Sequence, residues 1–397
     1  MTMKNTLTHL YREFFDSERT GGYLLVICTV LSLALANSSV GASYTALFKT
    51  TVGFDLGSVR LHYPVYHWIN DLLMAVFFLL VGLEIERELY IGELSDLRNA
   101  LLPIFAAIGG MVIPALIHLA FNAGSATQSG FGIPMATDIA FALGMLSLLG
   151  SKVPASLKVF LTALAIIDDL GAIIVIAVFY ATGFSLLYFS LSMGIFVLLL
   201  LCNRLGVNQL LLYLIPGLGM WFFMHESGVH ATITGVLLAF AIPFRDGAES
   251  SPSYRLQHFL HKPVALCIIP LFALANTGIK ITPALIGGLT SENAKGIIAG
   301  LCIGKPFGIL LFSFLAAQVG WSTLPGDVSW KQILGAGMLA GIGFTMSIFI
   351  SLLAFNDPLT IDTAKVAILC GSVLSCLTGV TMLFISGTEA RKIDLTC

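Results

Sequence analysis

The sequence predicts an all-α polytopic membrane protein of about twelve transmembrane helices, and three observations carry that expectation. Of 397 residues, 57% are hydrophobic and only 11% charged, with a mean hydropathy of +0.93; a soluble domain has roughly 25% charged residues. The apolar residues fall in runs of roughly 20, the length that crosses a bilayer as a helix. Two of these runs are interrupted at corresponding places in the two halves of the chain.

Taken in order, the runs place helices near residues 20–37, 64–86, 99–121, 130–149, 155–181, 185–203, 209–224, 228–243, 260–278, 294–317, 332–354 and 362–386. An even count puts both termini on one side of the membrane. Fourteen of the twenty basic residues fall on that side, among them Arg87, Arg98, Lys152, Lys158, Arg204, Arg245 and Arg255, against five on the other: Lys49, Arg60, Lys280, Lys295 and Lys365. The positive-inside rule then makes the termini cytoplasmic. The amphipathic start, MTMKNTLTHLYREFFDSERT, carries no small-residue cleavage signal, so no removable signal peptide is expected. A net charge of -2 suggests no nucleic-acid partner. The seven cysteines are odd in number, lack a CxxC pair and mostly sit in apolar runs, which predicts neither a disulfide framework nor a cysteine metal site. No cofactor is expected.

The fourth span reads GFGIPMATDIAFALG, with Pro134 four residues before Asp138. The eleventh reads GAGMLAGIGFTMSIFI, with Gly335, Gly337, Gly341 and Gly343 ahead of Thr345. Broken helices survive at membrane depth only where the freed backbone groups are covered by protein or line a cavity. Spans three to five and ten to twelve match as triplets with the broken helix in the middle. An odd number of helices per repeat makes the two repeats inverted, with the discontinuous helices crossing.

Asp168 and Asp169 stand side by side in LTALAIIDDLGAIIVIAVF, an otherwise apolar span. An ionisable side chain at bilayer depth costs at least roughly 2.5–3.5 kcal/mol, so the pair reads as an ion or proton site. Neighbouring helical residues point about 100° apart, so one can touch a partner while the other faces a cavity. Lys305, in IIAGLCIGKPFGILLF and directly before Pro306, is the twentieth basic residue, assigned to neither side; it lies inside the tenth span and is expected to face a carboxylate. If the broken helices cross, Asp138 would offset facing helix N-termini and Lys305 facing C-termini, each terminus carrying about half a unit charge. That leaves Asp168 and Asp169 to bind as a coupled pair. With both ionised, one monovalent cation leaves a unit of negative charge and two protons leave none, so unequal, electrogenic exchange follows. Oxygen ligands favour Na⁺ or Li⁺ over K⁺ only weakly. An intramembrane aspartyl protease is a rival, but it needs carboxylates on separate helices and a GxGD span, which is absent. A channel or a symporter is disfavoured by the motifs, not by hydropathy.

The runs FFLLVGLEIERE (77–88), IPMATDIAFALG (133–144), VFLTALAIIDDLGAI (159–173), SGVHATI (227–233), PLFALANTG (270–278), IAGLCIGKPFGI (298–309) and AGIGFTMSIFI (340–350) resemble the NhaA sodium/proton antiporter family of bacterial inner membranes. The resemblance runs almost end to end. This family is itself a type case of inverted repeats with broken helices, so that feature is implied by likeness as much as read from pattern. The resemblance implies a secondary transporter, not an enzyme, that moves Na⁺ or Li⁺ out as more protons enter, favoured at alkaline pH and serving sodium, pH and volume homeostasis. It makes Asp169 the principal Na⁺ ligand, Asp168 its partner, Thr137 and Asp138 the residues at the crossing, and Lys305 the compensating lysine. It also divides the chain into an inverted-repeat core, 99–181 and 294–386, and a dimer panel, 20–86 and 185–278.

The family places a cytoplasmic funnel and pH response where this chain has Glu84, Arg87 and Glu88, together with His258 and His261. The alternative for the first three is a solvated helix end, and for the histidines an ordinary interfacial pair at a helix start. Acidic Glu86 and neutral Tyr254 and Gln257 depart from charges common in the family. His230, in SGVHATI, reads as a packed or hydrogen-bonded histidine, with pH response as the alternative; Asp71 reads as a helix-end charge or a tie to another helix. Residues 47–64, around Asp55, Gly57 and Ser58, predict a small β-hairpin outside the membrane, which the family uses for homodimer contacts.

Overall fold

Apolar runs of this length leave backbone groups no partner in lipid but one another, which favours helices. The structure, a computed structural model, describes residues 3–56, 59–181 and 183–394 and is built accordingly. Helix α1 (Met3–Ala36) turns into the short α2 (Gly41–Lys49), the two bent by 113°. Strands β1 (Thr51–Leu56) and β2 (Val59–Pro64) pair antiparallel, with Thr51 opposite Pro64 and Asp55 opposite Arg60. The one-turn α3 (Val65–His67) passes through a π turn, Trp68–Leu73, into α4 (Met74–Tyr90). Then come α5 (Leu97–Asn122), a 3₁₀ segment Gln128–Met135 leading to α6 (Ile139–Leu148), α7 (Ala155–Phe179), α8 (Leu186–Arg204), α9 (Leu211–Glu226) and α10 (Ile233–Ala241). Helix α11 (Pro252–Pro263) continues through a π turn into α12 (Ile269–Asn276), followed by the short α13 (Pro283–Gly288). Helix α14 (Glu292–Ala299) runs through a third π turn, Gly300–Gly304, into α15 (Lys305–Gln318). The chain ends with α16 (Trp330–Ala340), α17 (Phe344–Ala354) and α18 (Pro358–Asp394).

This is a polytopic helical membrane protein with a small two-stranded sheet. Helices lie at each place the apolar runs predict. Eight helical stretches among the described residues are long and apolar enough to cross a membrane alone, or up to ten if each of two bent pairs counts as one span. Helices α9 and α10 fall short, at 16 and 9 residues. Helix α9 has the length expected, whereas the turn after it sets α10 back: Gly228 takes a φ of +78°, which L side chains rarely adopt, and α10 starts five residues later than expected. The hairpin starts later than residue 47, because α2 runs to Lys49 and the Thr50 N–H closes its last turn on Ala46 and Leu47. Its turn, residues 57–58, lies outside the described residues. The ninth span begins at Pro252, not 260: the Ser251 hydroxyl accepts from the Tyr254 N–H and Pro252 opens the helix.

The chain divides into two compact units. One takes residues up to Tyr23, Gly92–Ala172 and those from Thr282 onward; the other takes Leu24–Ile91 and Ile173–Ile281. In the first, α5 and α15 cross at Gly109 and Gly308, where a Cβ on either glycine would collide with the other's carbonyl oxygen. Gly300 lies against Pro134 in the same way, bringing the π turn before Lys305 onto the end of the 3₁₀ segment. In the second unit, Gly82 of α4 and Gly235 of α10 let those helices touch backbone to backbone. There too, Trp68 Nε1 donates to Val52 O of the hairpin (2.9 Å), and the Tyr44 hydroxyl bonds to Ser32 Oγ and Leu274 O, both at 2.9 Å.

Candidate ion site

Pro134 has no N–H and restricts the residue before it, and Asp138 competes for backbone donors, so the fourth span cannot stay helical here. It breaks into the 3₁₀ segment, three residues of non-helical chain at 136–138, and α6. The eleventh span breaks at 341–343 among its glycines, and α16 and α17 meet at 48°. Each break supplies the partners the other lacks. The Asp138 N–H donates to Ile342 O (2.7 Å), the Thr137 hydroxyl lies 3.0 Å from Ala340 O, and the Ser347 hydroxyl donates to Ile133 O (2.6 Å). The Phe344 N–H, at the start of α17, donates to the Ser372 hydroxyl of α18 (3.2 Å).

The Asp138 carboxylate caps two helices at once. Its Oδ1 accepts from the Phe141 N–H of α6 (3.0 Å), and its Oδ2 accepts from the Thr345 N–H of α17 (3.0 Å) and the Thr345 hydroxyl (2.6 Å). One full negative charge thus faces two helix N-termini, each carrying about half a positive charge. Opposite in sign, the Lys305 ammonium donates to Met135 O, the last carbonyl of the 3₁₀ segment.

Lys305 Nζ also lies 2.8 Å from Asp168 Oδ2, both side chains fully buried. The Thr137 hydroxyl stands 2.7 Å from the same oxygen. A threonine hydroxyl has one proton, so it can donate to Asp168 or to Ala340 O, not to both in full. Asp168 Oδ1 is buried and accepts no hydrogen bond among the described residues. Asp169, the next residue of α7, is equally buried. The structure therefore gathers Thr137, Asp138, Asp168 and Lys305 around the two breaks, with Asp168 in contact with the lysine. Thr345, Ser347 and Ser372 complete the arrangement and were given no role from sequence; for Thr345 and Ser347 the signal available was a hydroxyl residue in the first turn of a half-helix preceded by glycines, and for Ser372, inside α18, there was none.

The remaining candidates belong to the second unit. Glu84, Glu86 and Glu88 are buried, which excludes a solvated helix end for them, because α10 and α11 pack on α4. Glu86 accepts from the Ser253 hydroxyl (3.0 Å), and Arg87 pairs with Glu88 (3.0 Å). His258 and His261 lie well inside α11, not at a helix start; His258 is exposed and its ring is parallel to that of Tyr254. His230 Nε2 is hydrogen-bonded to Tyr180 O (3.0 Å).

The sequence profile of the family described as Na⁺/H⁺ antiporter 1 matches residues 12–383. The chain is 59% identical over 373 residues to the Na⁺/H⁺ antiporter NhaA 1 of Flavobacterium johnsoniae, covering 94% of this chain and 96% of that protein. It is 59% identical over 371 residues to the NhaA antiporter of Dechloromonas aromatica, covering 92% and 93%. With the NhaA antiporter of Cytophaga hutchinsonii it shares 53% over 390 residues, covering 98% and 99%.

Proposed function

The chain belongs to the Na⁺/H⁺ antiporter 1 family, and from that premise we propose that it is an electrogenic antiporter that exports Na⁺ or Li⁺ in exchange for a larger number of protons. The observation that carries this reading is the buried Asp168–Lys305 pair set at two broken helices and next to Asp169. Asp169 and Asp168 bind the cation through carboxylate oxygens, and Asp168 Oδ1, which accepts no hydrogen bond among the described residues, offers a lone pair for it. When Na⁺ arrives, protons leave the pair; when protons return, the cation is released. Lys305 holds Asp168 when the cation is absent, and Asp138 and Thr137 keep the crossing intact through both states.

The rest of the reading follows from this centre. The protein is a secondary transporter of the bacterial inner membrane, with twelve spans and both termini cytoplasmic. Its core is two inverted repeats, 99–181 and 294–386, that give alternating access, and it works toward alkaline pH in sodium, pH and volume homeostasis. Glu84, Arg87, Glu88, His230, His258 and His261 shape the response to pH. Two copies associate through residues 47–64 and the panel formed by 20–86 and 185–278.

The test is a vesicle assay in which a preset proton gradient is collapsed by Na⁺, Li⁺ or K⁺ at neutral and alkaline pH. Collapse by Na⁺ and Li⁺ but not K⁺, lost in Asp169→Asn, is the expected result. A gradient indifferent to Na⁺ and Li⁺ would end the antiport reading, and full activity in Asp169→Asn would remove that residue as the ligand. A current that disappears in Lys305→Gln while exchange continues would make the lysine a proton carrier.

A further inference from the structure

In the other unit, three side chains with metal-binding chemistry converge where the chain leads from the hairpin into α4. His67 ends α3, Asp71 lies in the π turn that follows, and His225 comes from the last turn of α9. Their ligand atoms all lie within 4.8 Å of one another. Asp71 Oδ2 is 3.1 Å from His225 Nδ1 and 3.3 Å from His67 Nε2. A tetrahedral ion with ligands at about 2.0–2.1 Å has edges of about 3.3 Å, so two of the three edges already have the right length.

The same distances could belong to an ordinary hydrogen-bonded cluster, but one atom does not fit that description. His67 Nε2 is buried and makes no hydrogen bond among the described residues, although the carboxylate is 3.3 Å away, so its N–H or lone pair is not aligned with Asp71. The rings are held where they are: His67 stacks on Tyr63 with centroids 4.4 Å apart, and His225 lies parallel to Trp221 at 6.0 Å. The side chains of His67, Asp71 and His225 are 27%, 19% and 23% exposed, which leaves the cluster open to ions from solvent. Short π turns often sit at functional positions, and the one at 68–73 carries the carboxylate.

We propose that His67, Asp71 and His225 form a binding site for a divalent metal ion of the zinc class, separate from the transported cation. Two imidazoles and one carboxylate are a borderline ligand set that suits Zn²⁺, whereas Mg²⁺ and Ca²⁺ require mostly oxygen ligands. Three protein ligands leave a fourth position for water. Because α3 and the π turn supply two ligands and α9 the third, the bound ion ties the segment leading into α4 to the end of α9.

The test uses the full-length protein in detergent, freed of any polyhistidine tag, equilibrated with Zn²⁺ and with Mg²⁺ as control. The expected result is a single Zn²⁺ per chain, no competition by Mg²⁺, and affinity at least about ten-fold weaker in His67→Ala and in His225→Ala. His62→Ala, which removes an exposed histidine paired with Asp55, should bind like the wild type. Should a variant fail to fold, X-ray absorption on the Zn²⁺-loaded wild type decides instead, with two imidazole nitrogens and oxygen at about 2.0–2.1 Å expected. The proposal is overturned if the wild type takes up no stoichiometric Zn²⁺, if the His67/His225 double variant binds as tightly as the wild type, or if the absorption spectrum contains no imidazole pair.

Discussion

Asp138 and Thr345, 207 residues apart in the chain, meet through one carboxylate oxygen that accepts both the backbone N–H and the hydroxyl of the threonine. This contact ties the two broken spans together at their weakest point. A helix start buried without an acceptor leaves orphan N–H groups, and here one aspartate serves two such starts. Replacing Thr345 by valine keeps the shape but deletes the hydroxyl, which should cost about 1–3 kcal/mol, while serine should retain most of the stability. Thermal unfolding of the purified variants checks this; equal melting of the valine variant and the wild type would show that the hydroxyl contributes nothing.

The Asp168–Lys305 pair should behave as a unit. Removing one member of a buried ion pair strands the other charge, at a cost of about 3–5 kcal/mol. Lys305→Met and Asp168→Asn should therefore each lower stability by more than their share of the double variant. A double-mutant cycle read by melting temperature tests the coupling, and simple additivity would contradict it.

The crossing of α5 and α15 leaves no space for a side chain at Gly308, where a Cβ would strike the Gly109 carbonyl. Gly308→Leu should prevent those helices from closing, with loss of folded protein in membranes. Gly194, in α8, has open space around it, and alanine there should leave folding intact or stabilise by about 0.4–1 kcal/mol by restricting the unfolded chain. Comparable yields of both variants would refute the packing argument.

Asp357 precedes α18 and accepts from the hydroxyl (2.7 Å) and the N–H (2.8 Å) of Thr360. These bonds hold its carboxyl below the ordinary carboxylate range, the side-chain bond contributing most. A depressed folded pKa means stability that is complete above the unfolded carboxyl pKa and lost as pH falls through the lower folded value. Melting of the wild type should therefore gain a small acid-side dependence that Asp357→Asn lacks; identical acid profiles would exclude the cap as its source.

Some of this was legible along the chain and some was not. The apolar runs, Pro134 and the glycines before Thr345 forecast the helices and both breaks, because hydropathy and backbone permissiveness belong to neighbouring residues. The same local reasoning misjudged the start of α10, set back by the turn at Gly228, and the start of the ninth span, where Ser251 and Pro252 cap a helix in a polar stretch. It left Glu84 and Glu88 open between solvent and interior, since they are buried in a helix, α4, on which α10 and α11 pack from far along the sequence. His67 and His225 drew no attention, because each by itself is an unremarked histidine near a helix end.

By itself the sequence determined that this is a helical membrane protein, that two of its spans are interrupted, and that Asp138, Asp168, Asp169 and Lys305 lie in apolar spans where a charge is costly. The cost of a charge in lipid depends on the residue and its span alone. Only the tertiary structure decided that Lys305 meets Asp168, that Asp138 caps α6 and α17 together, and that His67, Asp71 and His225 share one place. Those contacts depend on the angle and depth at which helices cross, and glycines such as Gly109 and Gly308 realise these only when the helices are packed together.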